Sequence, residues 1–274
     1  MLHFQLTPPE VAGYEKDGYV VVKNLLSQNE IAKLSAITFG DGAIQKHAID
    51  LIDQAGKKTK LTSWYFPGND SYGLLTKSKR LVESVDRLME GESAVCHFHS
   101  KLMQKEPKVG GAWEWHQDYG YWYKNEFLFP NQMISVMVAI TDANKANGCL
   151  QVIKGSHKMG RVEHGFTGEQ VGASQHYVDL ALKTMDLVYV EIEAGDALFF
   201  HSNLLHRSEA NLSDKPRWSL ISCYNRSANV PYNEPSASSI TPLQVVSDEA
   251  LLDWEVNEID EAVDFVGKDK IHKK

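Results

Sequence analysis

A mainly β fold with flanking helices is predicted for this chain of 274 residues. Two observations predict it. Capped segments of helical period are concentrated in the first third. From about Ala94 onward, short apolar runs alternate with turn signals, as in a sandwich or barrel. There is no internal repeat, low-complexity tract or clear linker, and β folds of this length commonly form one domain. One domain is therefore expected, with a helical part at about 1–93, a β core at about 94–226 and an extension at 227–274.

The elements follow in order. Thr7-Pro8-Pro9-Glu10 has the form of a helix start, with Pro at the first helical turn. Gly18-Tyr19-Val20-Val21-Val22 reads as a strand, and Ser27-Gln28-Asn29-Glu30 as a capping box ahead of Ile31, Leu34 and Ile37. Another helix is expected over Ser78 to Met89. In the β region, Val95 to Leu102 alternates and Met133 to Ile140 is a buried-strand run closed by Thr141-Asp142-Ala143-Asn144. Cys149 to Ile153 precedes the turn Gly155-Ser156. Val188 to Ile192 leads through Ala194-Gly195-Asp196 into Ala197-Leu198-Phe199-Phe200. Trp218 to Tyr224 is the last strong strand. Val266 to Lys274 reads as a polar, fraying end.

Composition narrows the function classes. At 43% hydrophobic residues the chain can build a sizeable core. Its net charge of −8 argues against nucleic acid or an anionic membrane as partner. The apolar runs are strand-length, so no transmembrane helix is expected. No secretory signal is visible at Met1-Leu2-His3-Phe4-Gln5, nor a peroxisomal one at Ile271-His272-Lys273-Lys274. Cys96, Cys149 and Cys223 read as reduced core thiols of a cytoplasmic protein.

The most informative stretch is Trp115-His116-Gln117-Asp118. On a strand, His116 and Asp118 would point to one face, because side chains alternate with period two. With the distant His206 they make two imidazoles and a carboxylate. That is the facial set of non-haem Fe(II) oxygenases, which leaves positions open for a co-substrate and oxygen. Arg217, eleven residues beyond His206, suits the far carboxylate of a keto-acid.

These residues give the chain a resemblance to the phytanoyl-CoA dioxygenase family of Fe(II)- and 2-oxoglutarate-dependent oxygenases. The matching features run from about Gly13 to Asn225. They are Gly13 to Val20, His116-Gln117-Asp118, Asn147-Gly148-Cys149-Leu150 with Gly155-Ser156-His157, and Gly195-Asp196 through His206-Arg207-Ser208, Asn211, Ser213 and Arg217. Any one is weak; their order and the His-to-Arg spacing make the signal. The resemblance implies a double-stranded β-helix, a cupin-like jelly roll. It also implies Fe(II) on His116, Asp118 and His206, with 2-oxoglutarate and O2 as co-substrates. His206 is preferred to His201 because Ser208 and Arg217 stand at the family's offsets from it.

Further roles are weighed against plainer ones. Arg217 is expected to pair with the tail of 2-oxoglutarate, and Ser208 either to assist or to sit in a solvated turn. Lys101, Met103 and Lys105 share a strand face leading toward His116. Lys101 and Met103 are expected at the co-substrate pocket, the alternative for Lys101 being a solvated edge. Met137 is expected as a pocket wall. Tyr119, Trp122 and Tyr123 could form a substrate wall or an ammonium cage, the alternative being ordinary packing. Arg161 and His164 could hold an anionic group, or lie in a solvated loop. If both hold, the substrate is a small zwitterion that is hydroxylated with release of succinate and CO2. Asp118 argues against halogenation. Three alternatives remain open: an acyl-CoA hydroxylase of the same family, a cupin dioxygenase without 2-oxoglutarate, and a non-catalytic metal-binding cupin-like protein. Oligomeric state cannot be read.

Overall fold

The computed structural model describes residues 4–167, 169–232, 236–253, 255, 259 and 263–267. Helix α1 (Pro8–Asp17) begins where the Glu10 carboxylate accepts the Thr7 N–H at 2.6 Å. It ends at Gly18, which takes φ 83°, a left-handed conformation that glycine adopts without a Cβ clash. Strand β1 (Tyr19–Val22) follows. Helix α2 (Gln28–Gly40) opens with the expected capping box: Ser27 N–H donates to Glu30 Oε2 at 2.8 Å, and Glu30 N–H to Ser27 Oγ. Next come α3 (Gly42–Lys46), β2 (Ile49–Ile52), β3 (Lys58–Trp64), α4 (Ser71–Thr76) and α5 (Lys79–Leu88). Beside the expected β1, two further strands, β2 and β3, thus arise within the part expected to be helical.

The remaining elements are β4 (Val95–Lys105), β5 (Trp113–His116), α6 (Asp118–Trp122), β6 (Met133–Ala139), β7 (Leu150–Ile153), β8 (His164–Thr167), β9 (Gln170–Ala173), α7 (Gln175–Thr184), β10 (Leu187–Val190), β11 (Ala197–His201), β12 (His206–Ser208), β13 (Arg217–Arg226), α8 (Ala237–Ile240) and α9 (Ala250–Asp253). A seven-stranded sheet has the order β1-β11-β6-β13-β4-β3-β2, and a four-stranded sheet the order β10-β7-β12-β5. The short pair β8-β9 forms a separate sheet, and Gln170 at the start of β9 accepts the Glu114 N–H of β5. Every ladder is antiparallel.

The large sheet is covered on both faces, which explains its nearly unbroken apolar strands. On β6, Ile134, Val136 and Val138 join a core with residues of α1, α2, α4 and α5. Met133, Met137 and Ala139 face the other way and join Leu150, Val152 and Val190 of the small sheet. The inter-sheet layer is the interior of a jelly roll. β4 carries a bulge: His99 opposes Cys223 and His97 opposes Tyr224, so Phe98 has no partner on β13. Bulges re-aim side chains. Here Phe98 and His99, though adjacent, both reach one cavity.

The cysteines are buried and free. Among the described residues no helix is long and apolar enough to cross a membrane. Val266 is buried and its N–H donates to Ser63 O at 2.8 Å, so the expected fraying does not begin there; residues 268–274 lie outside the described residues.

Candidate active site

His116 ends β5 and His206 begins β12, where the two strands pair residue to residue. Asp118 corrects the expectation of a continuous strand: it is the first residue of α6. Gln117 between them is extended, φ −111° and ψ 135°, so the alternation that puts His116 and Asp118 on one side survives the change of element. An acidic residue in a first helical turn is also favoured by the helix dipole. His116 Nε2 lies 3.8 Å from Asp118 Oδ1, and His206 Nε2 4.0 Å from the same atom. One ligand atom from each of the three residues falls within 4.8 Å of the others, and all three residues are buried.

Hydrogen bonds prepare the triad. His116 Nδ1 donates to Glu114 O at 2.7 Å and His206 Nδ1 to Leu204 O at 2.9 Å. Both Nε2 lone pairs are thereby turned toward Asp118, as metal-binding histidines require. Burial, then the neighbouring His206, lowers the His116 pKa well below its ordinary value; burial also lowers that of His206. Both rings are therefore neutral, the form that binds metal. Burial would raise the Asp118 pKa, but Lys101, His206, His116 and the Ser135 hydroxyl outweigh it and hold the group ionised. Ser135 Oγ donates to Asp118 Oδ2 at 2.5 Å, and Lys101 Nζ stands 3.8 Å from Oδ1. Ser135 was not anticipated. Its signal was a hydroxyl within the apolar run Met133 to Ile140.

The link between the ligands is clamped. Gln117 Nε2 donates to Gly160 O and Asn203 O, its Oε1 accepts the Val162 N–H, and its backbone N–H donates to His164 Nε2 at 3.0 Å. His164 Nδ1 donates to Val162 O at 2.8 Å, so both ring nitrogens are engaged. Burial lowers its pKa to about 4. His164, expected to hold an anion, is thus a neutral brace for the metal-ligand segment. Gly120 admits it, since a Cβ there would overlap the His164 ring. Ser156, from the Gly155-Ser156-His157 motif, accepts the Leu205 N–H at 2.9 Å and fixes the approach to His206. His201 bonds Asn131 and Asn203, a structural role as expected.

Arg217 opens β13, opposite Lys105 of β4. It is buried, and its polar contact is with Met137 Sδ at 3.6 Å. Nε has no partner, and no carboxylate among the described residues pairs with the guanidinium. Burial lowers its pKa to about 10. Asn211 and Ser213 of the motif hold the turn before it: Asn211 Nδ2 donates to Lys105 O and Lys215 O, and Ser213 Oγ to Asn211 Oδ1. Lys105 Nζ donates to Glu209 O. Ser208 shares the inward face of β12 with His206. Met103 and Met137 belong to the inter-sheet core.

A cavity of about 190 Å³ adjoins the triad. His116, Asp118, Lys101, Trp113, Tyr121 and Trp122 line it, with Phe98, His99, Tyr65 and Lys124 around them. Tyr119 instead packs in the inter-sheet core and donates its hydroxyl to Phe127 O at 2.7 Å. Tyr123 and Arg161, both expected at the substrate, are exposed and stack on each other, the guanidinium carbon 4.2 Å from the ring centre. Neither lines the cavity. Sequence reasoning passed over Trp113, Tyr121 and His99.

The phytanoyl-CoA dioxygenase (PhyH) family model matches residues 14–219. The chain belongs to this family. L-proline trans-4-hydroxylase of Streptomyces griseoviridis is 25% identical over 233 residues, covering 80% of this chain and 86% of that protein. Ectoine dioxygenase of Bordetella parapertussis is 24% identical over 238 residues, covering 82% and 77%. The crystal structure of EctD from S. alaskensis with 2-oxoglutarate and 5-hydroxyectoine superposes with a TM-score of 0.69 at 20% identity, covering 87% of this chain and 89% of that one. Membership and triad together make this chain a 2-oxoglutarate-dependent dioxygenase that uses Fe(II) and O2. Its residues fit both groups: two Nε2 lone pairs converge with a carboxylate, and a buried guanidinium lacks an anion.

Proposed function

We propose that the enzyme hydroxylates a small zwitterionic molecule in the cytoplasm. The observation that carries this reading is the lining of the cavity. Among the described residues Asp118, the metal carboxylate, is its only acidic residue, Lys124 stands at an exposed position in its lining, and its walls are largely aromatic. A cationic nitrogen can rest on the faces of Trp113, Tyr121 or Trp122 by cation–π attraction. A carboxylate can meet Lys124. The activities named for the proline and ectoine relatives agree with such a substrate. A volume of about 190 Å³ suits a compact molecule.

His116, Asp118 and His206 would hold the iron. Arg217 would take the distal carboxylate of 2-oxoglutarate, with Ser208 beside it and Lys101, Met103 and Met137 around the co-substrate. Bound iron supplies oxygen activation coupled to decarboxylation of 2-oxoglutarate to succinate and CO2. The chain's own work is positional. The two Nδ1–H donors fix the imidazoles, Ser135 fixes the carboxylate, and the aromatic walls exclude water and orient the substrate. The test is succinate release with Fe(II) and 2-oxoglutarate across a panel holding L-proline, ectoine, longer amino-acid zwitterions and a fatty acyl-CoA. Stimulation by a zwitterion is expected. Stimulation by the acyl-CoA alone, or by none of the panel, overturns the reading.

A further inference from the structure

The outer edge of β3 has two tenants. β2 pairs with it only as far as Leu61, opposite Ile49. Beyond that point the edge, continued past β3 by Tyr65 and Phe66, is taken by residues 263–266, about two hundred positions later in the chain. Trp64 and Phe265 form an antiparallel bridge. Phe66 N–H donates to Val263 O at 2.9 Å, Tyr65 N–H to Asp264 O at 3.2 Å, and Val266 N–H to Ser63 O at 2.8 Å.

Alternation then sorts the side chains. Val263, 1% exposed, enters the helix-side core. Phe265 packs against that core and stacks on the His47 ring, centroids 3.9 Å apart and planes 6° apart. Val266 turns to the other side and lines the cavity with Ser63 and Tyr65. Upstream, Ile259 N–H donates to the buried Asp41 carboxylate at 2.9 Å, a further anchor. The segment is bonded along its length, and one of its side chains faces the place where the substrate is read to bind.

We infer that Val266, held in place by the pairing of residues 263–266, forms part of the wall of the substrate cavity and is a specificity-determining residue, its size setting how far a substrate can extend from the iron. The substrate part of this inference rests on the reading of the cavity given above; the location of the wall does not. A wall paired to a core strand through backbone hydrogen bonds gives less readily than a surface loop. Shortening Val266 therefore lengthens the cavity, and enlarging it shortens the cavity.

The native cysteines are buried, so a thiol placed in the cavity is the reactive one. Val171 lines the cavity and serves as the reporter position. The V171C protein, full-length, is loaded with Fe(II) and 2-oxoglutarate without oxygen and labelled with a small methanethiosulfonate or a bulky maleimide. Adding Phe265→Ala, which removes the stack on His47, is expected to speed maleimide labelling at least tenfold and methanethiosulfonate labelling less. Val266→Gly, which leaves the stack in place, guards against a folding defect in the first variant and should act in the same direction. Unchanged labelling in both variants overturns the inference. On the zwitterion panel, Val266→Gly should raise kcat/KM for longer substrates relative to L-proline, and Val266→Trp should do the reverse. An unchanged ranking in both removes Val266 as a determinant. If the unsubstituted enzyme responds to no zwitterion, the substrate reading fails, and labelling still decides the wall.

Discussion

Replacing Arg217 by methionine should move stability and co-substrate affinity in opposite directions. The guanidinium is buried, its Nε lacks a partner, and its recorded polar contact is a thioether at 3.6 Å. Burial has already lowered its pKa to about 10, which expresses the same cost of an uncompensated charge. Methionine has a similar length and fills the site without charge. Exchanging buried ionic groups for packed apolar ones is worth about 1–4 kcal/mol. The protein without co-substrate should therefore melt several degrees higher as Arg217→Met. With co-substrate the balance inverts. Two charge-assisted hydrogen bonds to the distal carboxylate, each about 1.5–3 kcal/mol, would be lost. That sum, about 3–6 kcal/mol, corresponds to a weakening of roughly a hundred- to twenty-thousand-fold. The assay is thermal unfolding with and without 2-oxoglutarate, beside the 2-oxoglutarate dependence of succinate release. A variant that is less stable alone and binds 2-oxoglutarate as before would make Arg217 a structural cation and refute the reasoning.

Other perturbations test the rest of the site. Asp118→Ala should abolish 2-oxoglutarate turnover, measured as succinate; metal-dependent turnover at the original rate would remove Asp118 from the ligand set. Ser135→Ala removes the 2.5 Å hydrogen bond to Asp118 and should weaken Fe(II) binding about 10- to 100-fold in an anaerobic titration, and equal affinity would make the bond incidental. Acid stability follows from His97 and His201, whose pKa values burial lowers to about 3. Unfolding lets both rings take protons near their ordinary value, so the stability they contribute is complete above about pH 6.5. It is lost as pH falls toward 3, by up to about 1.4 kcal/mol per pH unit for each ring. The melting temperature of the apo-protein should fall steeply from pH 6.5 to 5, and His201→Gln should flatten the slope.

What the sequence disclosed, and what it hid, divides along physical lines. Local rules were readable: the Ser27–Glu30 box, the helix start at Pro8 and the apolar run of β6 all depend on neighbours within a few positions. The triad was readable because Gln117 is extended, so period-two reasoning gave the right face even though Asp118 begins a helix. β3 was hidden by Lys58 and Lys60, which give its start a polar appearance. The positions of Phe98 and His99 were hidden because a bulge shifts alternation without altering composition. His164 looked like a free imidazole because its two partners, Val162 O and Gln117 N–H, are backbone groups that no side-chain pattern reveals. Val266 was hidden by distance, its partner strand standing some two hundred residues earlier.

The order of the small sheet has a consequence for biosynthesis. β12 lies between β7 and β5 and is bonded to both. Until β12 leaves the ribosome, the strand that carries His116 has no place in that sheet, and a nascent chain offers at most two of the three ligands. Arg217 comes later still, on the strand that fastens β4 to β6. Pairings so distant along the chain form late and slowly. Iron capture is thereby deferred until the barrel is nearly closed. A chain halted before residue 206 should show little affinity for Fe(II), so that a redox-active metal is bound only once the walls that confine its chemistry are present.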